Sequence, residues 1–88
     1  MPILSAFYGI IVQMFYEKSG RHHVPHIHVE YGENTAVLDL QGNLLAGSLP
    51  TNKMNILLGW MEIHKEELEL NWKLILRNHP PMKIRPLR

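Results

Sequence analysis

Cysteine is absent from this 88-residue chain, which excludes disulfide staples, thiolate metal sites and a cysteine nucleophile. No apolar run approaches the length of a membrane span, and no basic region followed by a long apolar core opens the sequence. These absences set the expectation of a cytoplasmic protein with no membrane contact. Excess charge is missing too: the net charge is +1, which argues for no class of partner by itself. With 45% hydrophobic and 19% charged residues, the composition is that of one ordinary globular domain spanning 1–88. A chain this short gains only modestly from burying apolar surface.

Histidine, by contrast, is concentrated. Arg21-His22-His23-Val24-Pro25-His26-Ile27-His28-Val29 holds four of the six histidines within seven positions. Imidazole is the commonest protein metal ligand and titrates near neutral pH. The flanking pattern places part of this block on a strand. From His26 to Tyr31, Ile27, Val29 and Tyr31 share one face and His26, His28 and Glu30 the other. Thr35 to Leu40 alternates as well, with Ala36, Leu38 and Leu40 on one face.

A hairpin pairing Ile27 with Leu38 and Val29 with Ala36 keeps both apolar rows together. It leaves a two-residue Gly32-Glu33 loop, with glycine where a type II′ turn requires it. This register sets His26 opposite Asp39, and a slip by two residues would set His28 there instead. Upstream, Ser5 to Tyr16 reads as one strand bent at Gly9, and Leu44 to Leu49 as a short further strand.

Thr51 to about Asn78 reads as a helix, with Thr51 as N-cap and Pro80-Pro81 beyond its end. Met54, Leu57, Leu58, Met61, Leu68, Trp72 and Ile75 form one apolar stripe. Ile56, Trp60, Ile63, Leu70 and Leu74 form a second. Two stripes exceed what packing on one small sheet needs, so either the helix is broken in two or a partner covers the excess. The expected fold is therefore α+β: a small antiparallel sheet of three or four strands, then a long C-terminal helix packed on one face.

Two uses of the histidines follow. His26 and His28 stand two apart on one strand face, a spacing that lets both imidazoles converge on one ion. His22, Glu30 or Asp39 would supply a third ligand. Nitrogen and oxygen donors without sulfur suit a divalent transition metal such as zinc, nickel or iron. Without a metal, His26 oriented by Asp39 has the arrangement of a general acid–base pair. RNA would be the substrate, with Arg21 or Arg77 holding its phosphate. The blander account puts the imidazoles on an edge strand, bonded to backbone and solvent.

Elsewhere the bland accounts are simpler. His64 falls among apolar helix positions as a core histidine, unless the helix lies across the histidine face and His64 completes the cluster, and Trp60 and Trp72 fall within the core stripes. The acid-free run from Asn71 to Arg88 suits a solvated basic end whose cations favour a helix C-terminus.

Phe7-Tyr8-Gly9-Ile10, His22-x-x-Pro25-His26-x-His28-Val29-x-Tyr31-Gly32, Leu49-Pro50 and Trp60-x-x-x-His64-x-x-Glu67-Leu68-x-x-Asn71-Trp72 together resemble the bacterial domain-of-unknown-function 4160 family. Val24 stands where that pattern often has a first proline, and His23 and His79 fall outside it. The resemblance implies small prokaryotic proteins, often encoded beside another small protein in an arrangement like a toxin–antitoxin pair. It carries no established activity. The expected function is thus a protein-binding module, with a partner or a second copy docked on the helix. An RNA-cleaving phosphodiesterase built on the histidine cluster is the alternative.

Overall fold

The computed structural model describes residues 3–17 and 24–87. Five strands form one antiparallel sheet in sequence order: β1 (Ile3–Phe7), β2 (Ile10–Gln13), β3 (His26–Tyr31), β4 (Asn34–Asp39) and β5 (Leu44–Gly47). The apolar parity of β3 and β4 sets their register, pairing Ile27 with Leu38, Val29 with Ala36 and His26 with Asp39. Ile27, Val29, Ala36 and Leu38 are buried. A one-residue slip would send all four to the opposite face.

The count of three or four strands is corrected to five, because the segment read as one bent strand is a hairpin. Tyr8 and Gly9 lie at φ 50° and 81°, the pair of positive values of a type I′ turn, and Phe7 pairs with Ile10 across it. Tyr8 is a costly residue in that conformation, and the Lys53 ammonium donates to its carbonyl oxygen at 3.2 Å. Gly47, at φ 75°, is required for a second reason. A Cβ there would lie 2.1 Å from the Thr35 carbonyl oxygen, which accepts a bond from the Ser48 N–H.

The single long helix is likewise corrected to two, α1 (Thr51–Ile63) and α2 (Lys65–Leu76). His64 leaves helical geometry at φ −109° and ψ 25°. Its ring shares a hydrogen bond with the Glu67 carboxylate at 2.6 Å, and Glu66 and Glu67 suit the positive end of α2. The break lets α1 turn Leu57, Trp60 and Met61 inward while α2 turns in Leu68, Asn71 and Trp72. Leu57, Met61, Leu68 and Trp72 all belong to the first stripe, while Ile63 and Leu70 of the second stay exposed. Thr51 is the first helical residue, not the cap. Pro50 holds the cap position without a side-chain bond.

Helix α2 ends in a Schellman arrangement. Asn78 takes φ 61°, its N–H bonds to the Ile75 carbonyl, and the His79 N–H reaches the Leu74 carbonyl. The chain then runs back to the edge strand β1. The Asn71 amide donates to the Met82 carbonyl at 2.8 Å and accepts from the Met82 N–H at 2.9 Å. Trp60 Nε1–H donates to the Arg85 carbonyl at 2.9 Å, and the Ile84 N–H donates to the Leu4 carbonyl at 2.8 Å. This tail therefore covers part of the outer edge of β1, and Ile84 joins the core.

Candidate functional site

His26 opens β3, immediately after Pro25, and His28 follows two residues on, so strand geometry brings the two imidazoles to one side. Their ring centroids lie 5.1 Å apart. His26 is fully buried, against the Trp72 ring of α2 at 5.3 Å. Its Nδ1 lies 2.7 Å from the Val24 carbonyl oxygen. A carbonyl can only accept, so Nδ1 carries a proton and Nε2 is the atom turned to the cluster. His28 remains partly open to solvent, its ring stacked on Phe15 at 4.2 Å between centroids with 15° between planes. His28 is thus partly solvated, whereas the α2 packing covers His26.

The acid that reaches these rings is Glu17, four residues beyond β2. Its Oε1 lies 2.9 Å from His28 Nε2 and 3.5 Å from His26 Nε2. One donor atom from each of Glu17, His26 and His28 lies within 4.8 Å of the others. Partial desolvation raises the Glu17 pKa, but hydrogen bonds from His26 and His28 and their charge outweigh it, leaving the carboxyl below its ordinary value.

Asp39 sits opposite His26 in the ladder, but its carboxylate is turned to the loop that follows. Oδ1 accepts from the N–H groups of Gln41 at 3.0 Å and Asn43 at 2.8 Å, and Oδ2 accepts from the Asn43 amide at 3.0 Å. Desolvation opposes these bonds, which nonetheless hold the Asp39 pKa below its usual value. Glu30 is drawn sideways to Gln13 at 3.4 Å. His22, His23 and Arg21 lie outside the described residues. Glu17 escaped the sequence reading because it follows β2 in an irregular segment and belongs to no periodic row. Its distance from His26 in sequence gives no motif spacing.

The model of a Domain of unknown function (DUF4160) matches residues 9–73. The chain belongs to this family. The matched span contains Glu17, His26 and His28 of the cluster, together with Asn71 and Trp72, and stops before the tail that Asn71 holds. No curated protein and no solved structure matches the chain. No helix among the described residues is long and apolar enough to cross a membrane.

Proposed function

We propose that this DUF4160 member is a protein-binding module, in the manner of one half of a toxin–antitoxin-like pair, and that its partner docks on the outer face of the helices and the tail. The supporting observation is the second helical stripe. Trp60 of that stripe is buried, whereas Ile63 is 67% and Leu70 49% exposed. Met82, 59% exposed, lines one cleft together with Leu70, and the two Asn71 bonds fix its backbone there. An apolar patch held on a rigid frame is the usual mark of an interface, and methionine adapts well to a partner's contour.

The phosphodiesterase reading is weaker in its metal-free form. Glu17 stands within hydrogen-bond distance of His28, so its charge repels a phosphate approaching those imidazoles.

Light scattering over a wide concentration range distinguishes a second copy from a different partner, and affinity capture from cells identifies the latter. The wild-type chain is expected to associate, and Leu70→Lys and Ile63→Lys to abolish association with the fold intact. A strictly monomeric wild type that captures nothing specific removes this function.

A further inference from the structure

We infer that Glu17, His26 and His28 form a binding site for a divalent first-row transition ion, with zinc or nickel as the best-suited occupants. The inference is independent of the partner surface and differs from the sequence expectation in its third ligand, a carboxylate from outside the histidine block.

Three features carry it. The first is distance. Ligands at about 2.0–2.2 Å from a tetrahedral ion stand about 3.4 Å from each other. Glu17 Oε1 is 2.9 Å from His28 Nε2 and 3.5 Å from His26 Nε2, which brackets that separation. All three donor atoms fall within 4.8 Å of one another, so sub-ångström side-chain shifts close the set around one ion.

The second feature is the tautomer. The Val24 carbonyl takes the Nδ1 proton of His26, so Nε2 is the ring nitrogen turned to Glu17. A ligating histidine characteristically gives its other N–H to a carbonyl or carboxylate, which fixes the ring and strengthens the donor. Here that support is in place, and Nε2 faces a carboxylate oxygen.

The third feature is rigidity. Trp72 lies against the His26 ring and Phe15 stacks on His28, so both imidazole planes are set by packing before any ion arrives. Two imidazoles and one carboxylate are the wrong donors for calcium or magnesium, which take mostly oxygen. They match the two-histidine, one-carboxylate sets that bind zinc and iron. Three protein ligands leave at least one coordination position for water or for a group supplied by another molecule.

The test uses the full chain, stripped with EDTA and titrated calorimetrically with zinc, nickel and, as a control, calcium. Cobalt substitution gives a visible spectrum that reports the ligand field directly. One equivalent of zinc or nickel is expected to bind, and calcium is not. Glu17→Gln and His28→Gln, both at partly exposed positions, are expected to weaken zinc binding at least about tenfold. Their circular dichroism spectra should match the wild type. His79→Ala, outside the cluster, should bind as the wild type does. Absence of stoichiometric binding overturns the proposal. So does wild-type affinity in both cluster variants, because that result moves any bound ion to other histidines.

Discussion

Asn71 and Glu17 are both polar side chains that reach across the molecule, and they do opposite things. Asn71 is 1% exposed and meets one backbone donor and one backbone acceptor on Met82, so both ends of its amide are matched. Glu17 meets two imidazoles, each of which can be charged or neutral, and its match depends on what sits between them. Complementary groups at fixed protonation make a structural joint. A carboxylate between two imidazoles makes a place whose match changes with protonation. The tail clamp and the histidine cluster lie within one small fold, and this difference separates a joint of fixed protonation from a cluster whose match can change.

The comparison breaks most visibly at the clamp. Asn71→Leu keeps the branching at Cγ but strands the Met82 N–H and carbonyl, each at about 1–3 kcal/mol if it stays buried. A loss near 3 kcal/mol in urea unfolding is expected, with faster hydrogen exchange at the Ile84 amide. If the variant loses less than about 1 kcal/mol, the tail is not held by Asn71 and the structural half of the contrast fails.

Within the cluster, the two histidines should divide the same way. His26→Ala removes a buried ring packed on Trp72 and leaves a cavity and an unpaired Val24 carbonyl, so about 2 kcal/mol of stability should go. His28→Ala removes a partly solvated ring and should cost less than about 1 kcal/mol. Thermal melts of the two metal-free variants decide the matter. Equal losses would mean that burial does not separate the roles of the two rings.

Much of this arrangement was legible in advance where periodicity carried it. The β3–β4 register follows from two alternating rows and a glycine at the turn, and His26 opposite Asp39 follows from the register. The β1–β2 hairpin was hidden because Tyr8-Gly9 lacks an asparagine or aspartate to announce a type I′ turn. A helix break was one of two ways to absorb the second stripe, but a single long helix was expected, since no proline or glycine marks His64. Parity put Asp39 beside His26 without revealing that its carboxylate would be claimed by the Gln41 and Asn43 amides. Glu17 was missed, and Asn71 stood in the family pattern without its bonds to Met82 being read, for one shared reason. Each acts on residues distant in sequence, and neither bond leaves a spacing to read.

Asp39 offers the finest cut, because its carboxylate is matched as fully as the Asn71 amide yet carries a charge. Its folded pKa lies below the ordinary value, so the folded state favours the ionised form. The resulting stabilisation is fully present above the unfolded pKa and is lost as pH falls through the folded one. The relevant window therefore lies below about pH 4. Glu17, also shifted down, loses its contribution in the same direction, starting from its slightly higher ordinary pKa. Solvent around the Asp39 turn screens the effect, so the expected change is small. Unfolding free energies measured between pH 2 and 7 with EDTA present should fall on the acid side in the wild type. The fall should be shallower in Asp39→Asn, which keeps an acceptor oxygen but cannot ionise. Glu17→Gln should remove a separate part of the slope. If Asp39→Asn retains the full wild-type acid limb, the turn's amides are not selecting the ionised carboxylate, and Asp39 no longer belongs with the matched polar groups.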